Sequence, residues 1–295
     1  MADIAISPRS VAEMLHGYSI EVNPSQPEIV DAAAGRLDPG TEVFLTWIPG
    51  ANPMDMVAPA GRLRRAGLFP VPHIGARHLE SAVQLEQFAA RLADEAGVDR
   101  ILIIGGDRAK PAGPYDSSLA VMQTEVFQKA GITRVAVAGF PEGNPNITDV
   151  ALDEALAAKV NFARTAGLQL SIVTQFCFKA EPIVEWLGHI RAQGIDIPVR
   201  VGLAGPARLV TLMRYAVHCG IGNSLHVLTE HPSFARLLTD NGPEPIIRDI
   251  AASAGQGNAA SENKGSLPLG IAGLHFYVFG GFNKTVEWIN TQRTK

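Results

Sequence analysis

Cysteine is scarce in this sequence. Only Cys177 and Cys219 occur, and they lie far apart in the chain. Two distant thiols form neither a disulfide framework nor a cysteine-rich zinc site. We therefore expect both side chains to be core residues of a protein that works in a reducing compartment, the cytoplasm.

Clusters of positive charge and long apolar runs are also missing. The net charge is −4, the isoelectric point is about 6.1, and no run of Lys and Arg occurs. A nucleic-acid partner is therefore not expected. No apolar run reaches the length of a bilayer-spanning helix, and the opening residues, MADIAISPRSVAEML, lack a signal-peptide pattern. These features predict neither membrane insertion nor export.

Two common phosphate-binding motifs are absent as well. The sequence has neither GxGxxG nor a Walker loop, and its paired glycines, Gly105 and Gly106, are followed by Asp107. No low-complexity linker divides the chain. The stretch Ser253–Gly270 is rich in Gly, Asn and Ser and is predicted to be a mobile loop. We expect one catalytic domain over residues 1–295 and no regulatory domain.

Apolar residues, in contrast, make up 46% of the chain, which is enough for a large core. Short apolar runs alternate with longer amphipathic segments. The runs predicted to be strands are Tyr18–Val22, Glu42–Trp47, Val71–Ile74, Arg100–Gly105, Arg134–Ala138, Leu170–Phe176, Val199–Leu203 and Gly273–Phe279. Helices are predicted within 78–97, 148–167 and 180–194, each of which ends on Gly.

This alternation predicts an α/β protein with parallel strands joined by crossover helices. Eight such units in 295 residues favour a single (β/α)8 TIM barrel. An open doubly wound sheet is the alternative.

In a barrel of this kind the active site lies at the carboxyl ends of the strands. Polar or aromatic residues occur at most of the predicted ends: Glu21, Thr46, His73, Asp107, Phe140, Glu142, Asn144, Gln175, Phe178, His275 and Tyr277. Glu21 is notable because it interrupts an apolar run. It is explained either by an exposed edge strand or by a position at the barrel mouth.

Taken singly, these residues also have structural explanations. His73 fits a hydrogen-bonded loop histidine, Asp107 fits the cap of a following helix, and Gln175 fits an ordinary polar strand end. The residues HFY, 275–277, fit the core. The set carries more weight than its members because polar residues recur at the expected places.

The same set, in order, resembles the methylenetetrahydrofolate reductase family, bacterial catalytic-domain type. The similarity runs from about Ser19 to Phe279 and is carried by SIEVNP, LTWIPG, PHIG, ILIIGGD, AGFPEGNP, IVTQFCF and LHFYVF. It implies a (β/α)8 barrel that binds FAD and reduces 5,10-methylenetetrahydrofolate to 5-methyltetrahydrofolate with NADH or NADPH, or runs in reverse. It also implies a role in one-carbon metabolism and methionine biosynthesis, and a homo-oligomer.

The resemblance assigns roles to individual residues. Glu21 corresponds to the general acid that helps open the methylene bridge, and Asp107 corresponds to a carboxylate near the flavin and the pterin. The implied FAD contacts are Thr46, His73, Ile104, Gly105, Gly106, Asp107, Phe140, Asn144, Asp153 and Lys159. The implied substrate contacts are Glu21, Asp107, Gln175, Phe178 and Tyr277.

The sequence also departs from the family pattern. Gly105 stands where the family usually has Arg, Phe140 where Tyr is usual, and Asn144 where His is common. No Arg follows Tyr277 in register. These departures bear on how tightly FAD is held and on how the folate is bound.

Two other functions are consistent with such a barrel. One is a lyase or aldolase with Glu21 as an enolising base, which would need a Schiff-base Lys or a metal cluster at a strand end, and neither stands out. The other is a folate- or flavin-binding protein without turnover.

Overall fold

A computed structural model describes residues 10–218, 242–253 and 268–295. Cys219 and most of the predicted loop Ser253–Gly270 lie outside the described residues, so the expectations for them stay predictions. The prediction that Cys177 is a core residue is confirmed, because its side chain is buried.

Eight parallel strands form a closed barrel in chain order, β1 to β8. Their bounds are β1 Ser19–Val22, β2 Glu42–Leu45, β3 Phe69–Gly75, β4 Arg100–Ile104, β5 Arg134–Gly139, β6 Gln169–Thr174, β7 Val199–Ala204 and β8 Ile271–Tyr277. The predicted (β/α)8 TIM barrel is therefore confirmed, and the open sheet is wrong. The predicted strands differ from the observed ones only at their ends.

One short helix precedes β1, and the other helices follow strands. The described helices are α1 Val11–Met14, α2 Pro27–Arg36, α3 Val57–Arg65, α4 Ala82–Asp94, α5 Ser118–Met122, α6 Val126–Lys129, α7 Asp149–Thr165, α8 Glu181–Ala192, α9 Leu209–His218, α10 Glu244–Ser253 and α11 Phe282–Arg293. Short 3-10 turns occupy Pro53–Met56, Ala76–His78 and Pro268–Gly270. No helix within these described ranges is both long and apolar enough to cross a membrane.

The strands are apolar along most of their length because both faces of a barrel strand are buried. In β4, for example, Ile101, Leu102 and Ile103 are all buried. The helices end where the sequence predicted, since Gly97, Gly167 and Gly194 follow α4, α7 and α8 with positive φ angles of 60°, 68° and 75°. That left-handed conformation costs glycine little and closes the last helical turn.

Contacts within the chain group the described residues into two compact units. One comprises those within 19–138 and 150–172, and the other those within 1–18, 139–149 and 173–295. In the first unit, Arg100 is paired with Glu42 and Asp99 and lies 4.1 Å over the ring of Phe69. In the second, Arg191 donates to carbonyl groups that include those of Ile197 and Leu269. The single catalytic domain stays a prediction.

Close packing in the second unit depends on Gly202 of β7. A Cβ atom on Gly202 would lie 2.2 Å from the Thr174 carbonyl oxygen and 2.8 Å from Cε2 of Tyr277. We expect Gly202→Ala to lower the free energy of unfolding by about 1–3 kcal/mol, because a backbone carbonyl cannot move away cheaply. Urea denaturation measures this change.

Gly188 in α8 provides the control. A Cβ atom there meets no atom of the described residues within 4 Å, so Gly188→Ala should raise the free energy of unfolding by up to about 1 kcal/mol through helix propensity. Equal stability of the two variants would contradict the role assigned to Gly202.

Candidate functional site

Glu21 lies in β1 between Ile20 and Val22, which are fully buried. Its own side chain is only 18% exposed. Burial raises the pKa of Glu21 from 4.5 to about 8, because a carboxylate loses its hydration there. β1 has a strand on each side in the closed barrel, so the edge-strand explanation of Glu21 is wrong. At neutral pH this group carries a proton.

His73 of β3 is the neighbour of Glu21. Its Nε2 atom lies 3.9 Å from Oε2 of Glu21, which is too long for a hydrogen bond, and it has no hydrogen-bond partner among the residues that the structure describes. Burial lowers the pKa of His73 to about 3, so both members of the pair are uncharged at neutral pH. The Phe44 ring packs edge to face against the His73 imidazole, and the two ring centres are 6.0 Å apart.

Two residues after β2 belong to the candidate site: Thr46, which the sequence predicted, and Trp47, which it did not. The Thr46 hydroxyl donates to the Val22 carbonyl at 3.3 Å, and the Thr46 main-chain N–H donates to the same oxygen at 3.1 Å. The Trp47 Nε1 atom is buried, and no described residue forms a hydrogen bond with it. Its indole lies against Gly75, where a Cβ atom would come within 3.1 Å. Sequence reasoning missed Trp47, although its position directly after Thr46 was a signal.

Asp107 follows β4 and the partly buried Ile104. Its Oδ1 atom accepts a hydrogen bond from Nε2 of His78 at 2.7 Å. Gly106, with a φ of 95°, allows this approach, because a Cβ atom there would lie 2.8 Å from Cδ2 of His78. Asp107 does not cap the next helix, since Ser117 caps α5.

Sequence reasoning also missed Arg77 and His78, which form the 3-10 turn after β3. The Arg77 guanidinium donates to the carbonyl groups of Arg108, Ala109 and Asp116 at 2.6–2.8 Å. Neither residue ends a predicted strand, so the strand-end rule could not find them.

Asp153 and Lys159 lie on α7, as predicted. Burial lowers the pKa of Lys159 to about 8. No acceptor or carboxylate within the described residues forms a hydrogen bond or ion pair with its ammonium group. A partly buried cation without a counterion is energetically unfavourable unless an anion binds beside it.

The predicted residues after β5 lie in a tight turn. The Phe140 carbonyl accepts from the Gly143 N–H at 3.0 Å, and Oδ1 of Asn144 accepts from the Asn146 N–H at 2.9 Å.

The pKa of the Cys177 thiol is raised well above its usual value, first by burial and then by the neighbouring Glu142. The Cys177 side chain is therefore held in its thiol form.

The predicted residues after β6 are held by the backbone and the core. The Gln175 N–H donates to the Gly139 carbonyl at 2.8 Å, and Oε1 of Gln175 accepts from the Phe176 N–H at 3.1 Å. Phe178 is only 1% exposed and packs on Phe176 with ring centres 5.5 Å apart. The side chain of Phe178 therefore lies in the core at this end of β6.

The end of β8 carries an aromatic cluster of Phe176, Tyr215, Tyr277 and Phe279. The ring of Phe279 stacks on the rings of Tyr215 and Tyr277, with distances between ring centres of 4.4 Å and 6.1 Å. The backbone of Phe279 has a positive φ angle of 46°. The Tyr277 hydroxyl donates to the Thr174 carbonyl at 3.0 Å. Sequence reasoning singled out Tyr277 but missed Tyr215 and Phe279, whose contribution depends on tertiary packing.

These observations define a (β/α)8-barrel protein with ionisable and aromatic side chains at the carboxyl ends of its strands. Among residues 10–218, 242–253 and 268–295, no group of three or more His, Cys, Asp or Glu side chains could hold a metal ion.

The chain belongs to the methylenetetrahydrofolate reductase family, because the family model described as "Methylenetetrahydrofolate reductase" matches residues 41–279. The resemblance inferred from the sequence is thereby confirmed at the level of the family. A curated relative, "Methylenetetrahydrofolate reductase 2" of Saccharomyces cerevisiae, is 24% identical over 226 residues. The match covers 72% of this chain and 35% of the relative, so the chain spans about a third of the relative's length.

A search of solved structures returned the catalytic domain of a mannanase from Streptomyces sp. SirexAA-E. The mannanase domain is 19% identical to this chain and superposes with a TM-score of 0.41. The match covers 68% of this chain and 71% of the mannanase domain.

The opposite pKa shifts of Glu21 and His73 generate a stability prediction. Between pH 4.5 and 8 the folded state binds a proton at Glu21 more tightly than the unfolded state, so stability falls as pH rises. Between pH 3 and 6.5 the unfolded state binds the His73 proton more tightly, so stability rises with pH. Each slope has an upper limit of about 1.4 kcal/mol per pH unit.

Relative to the wild type, Glu21→Gln should therefore gain stability as pH rises from 4.5 to 8, and His73→Gln should lose stability as pH rises from 3 to 6.5. The measurement is the free energy of urea unfolding against pH, expressed as variant minus wild type so that other groups cancel. Glu185→Gln, at an exposed position of α8, is the control and should give a flat difference. A flat difference for Glu21→Gln as well would show that Glu21 is not desolvated.

Proposed function

We propose that this chain transfers a hydride, through bound FAD, from NADH or NADPH to 5,10-methylenetetrahydrofolate and forms 5-methyltetrahydrofolate. Membership of the family supports the reaction class. The observation that carries the proposal is Glu21, a carboxylic acid that remains protonated at neutral pH at the end of a barrel strand. Opening a methylene bridge between two nitrogens requires a proton donor of this kind.

The described residues fit a bound flavin dinucleotide. His73 Nε2 and Trp47 Nε1 are buried nitrogens that have no hydrogen-bond partner within the described part of the chain, and polar groups of a ligand would satisfy them. Lys159 is a partly buried ammonium that a diphosphate would neutralise. When bound, FAD supplies a carrier that takes a hydride from the nicotinamide and gives it to the one-carbon unit.

Glu21 and Asp107 have different tasks in this proposal. Glu21 donates its proton to the folate nitrogen as the carbon–nitrogen bond opens, which leaves a cationic one-carbon unit. Asp107 is 59% exposed and hydrogen-bonded, and its negative charge stabilises that cation. Two carboxyl groups in unlike environments can thus serve as acid and as electrostatic partner at one pH.

The remaining assignments stay part of the proposal. They are FAD contacts by Thr46, Ile104, Gly105, Gly106, Phe140, Asn144 and Asp153, and substrate contacts by Gln175, Phe178 and Tyr277. A homo-oligomer in the cytoplasm is proposed on the same grounds.

The test of the whole proposal is anaerobic turnover by the purified full-length chain reconstituted with FAD. A yellow protein that sustains the oxidation of NADH or NADPH beyond one equivalent per flavin only when 5,10-methylenetetrahydrofolate is added would support it. A protein that binds FAD but forms no 5-methyltetrahydrofolate in either direction would contradict it and favour a binding protein without turnover.

Glu21→Gln tests the proton donor. We expect the variant to bind FAD and to accept hydride from the nicotinamide at the wild-type rate, because that step delivers no proton to folate. Transfer to folate should slow by about 10²–10⁴-fold, which is the usual contribution of a positioned acid or base. Stopped-flow absorbance separates the two steps. An equal slowing of both steps would mean that Glu21 positions the cofactor instead.

Lys159→Met tests the proposed diphosphate contact. Removing this cation should weaken FAD binding by about 10-fold or more, since hydrogen bonds to charged groups contribute about 1.5–3 kcal/mol. Quenching of flavin fluorescence on titration with protein gives the dissociation constant. Lys129→Met, at an exposed position of α6, is the matched control and should leave the constant unchanged. Equal constants for both variants would remove Lys159 from the site.

A further inference from the structure

We propose that His78 is a positioning residue, which holds the Asp107 carboxylate in one orientation for the reaction. The catalytic part of this inference rests on the proposed function, whereas the orientation itself does not. His78 belongs to neither of the residue sets that the family resemblance supplied. Its role follows from the geometry around the loop after β4.

The first observation is that one short hydrogen bond joins a buried side chain, His78, to an exposed one, Asp107. The His78 side chain is 8% exposed, the Asp107 side chain is 59% exposed, and 2.7 Å separates Nε2 from Oδ1. A carboxylate only accepts hydrogen bonds, so the imidazole Nε2 is the donor. The imidazole is itself packed beside Trp47, with ring centres 5.9 Å apart. A fixed donor therefore holds an otherwise solvent-exposed acceptor.

The second observation is that the backbone carrying Asp107 is fixed to the same turn. Besides its three guanidinium contacts with the loop, Arg77 donates its main-chain N–H to the Gly105 carbonyl and accepts from the Ala112 N–H, both at 2.9 Å. Gly113 lies so close that a Cβ atom would approach the Glu80 carbonyl oxygen to 2.3 Å. The loop and its carboxylate are thus both held by residues 76–80.

The orientation of Asp107 matters because a charge stabilises a transition state only when it is aimed before the reaction begins. An exposed Asp without a partner samples several side-chain rotamers. His78 removes that freedom with one hydrogen bond. Misplacement of a reacting or stabilising group by about 1 Å can cost roughly 100-fold in rate.

A double-mutant cycle in the full-length, FAD-loaded chain tests the coupling. We expect His78→Phe to slow transfer to folate by about 10- to 100-fold. His78→Gln, which keeps an N–H donor, should recover most of that rate. In an Asp107→Asn background His78→Phe should cause little further loss, because the negative charge that it positions is already gone. His189→Phe, at an exposed position of α8, is the control and should keep the wild-type rate.

Additive losses in this cycle would overturn the proposal, since a merely structural role of His78 would act regardless of residue 107. A crystal structure of the ligand-free chain and of His78→Phe gives a second readout that needs no turnover. The wild type and His78→Gln should show one Asp107 conformer, and His78→Phe should show a displaced or multiple one. An unmoved Asp107 in His78→Phe would also overturn the inference. Failure of the wild type to turn over would instead count against the proposed function, and the crystal structures would still decide the role of His78.

Discussion

The removal of Glu21 from water is the constraint on which the proposed chemistry depends. Closing the sheet into a barrel gives β1 a neighbour on both sides, and the Glu21 side chain is left only 18% exposed. The resulting preference for the neutral form supplies a proton donor at a pH where an exposed Glu would be ionised. His73, desolvated in the same place, loses its charge rather than forming a strong ion pair with Glu21. The fold thus keeps both groups neutral at the cost of stability.

The packing at the strand ends also requires side chains and backbone to approach each other closely, and glycine residues make this possible. Gly75 lets the Trp47 indole lie flat against β3, Gly106 lets Asp107 reach His78, and Gly202 lets β7 press against Thr174. At each of these places a methyl group would collide with an indole, an imidazole or a carbonyl. Side chains therefore approach the strand ends at distances that other residues would prevent.

The fold followed from the sequence because its signals are local and repeated. Apolar runs, amphipathic segments and terminal glycines specify each unit separately, and eight units leave few topologies. Glu21 and His73 could be found because a polar residue at a buried strand end conflicts with its surroundings. Arg77 and His78 could not, because their importance arises from contacts with a loop about thirty positions further along the chain. Tyr215 and Phe279 were missed for the same reason, since stacking between distant segments leaves no periodic signal in the sequence.

The two carboxyl groups then divide the work according to what surrounds them. Glu21 has lost water and keeps its proton, so it can donate one. Asp107 keeps much of its contact with water and accepts a hydrogen bond from His78, so its carboxylate is held in one orientation. Reversing the two environments would give an exposed acid that is already ionised and a buried carboxylate that could not hold its charge. Glu21 lies within a buried strand, whereas Asp107 lies in a loop held by hydrogen bonds. This difference in surroundings allows two similar side chains to act as acid and anion at the same pH.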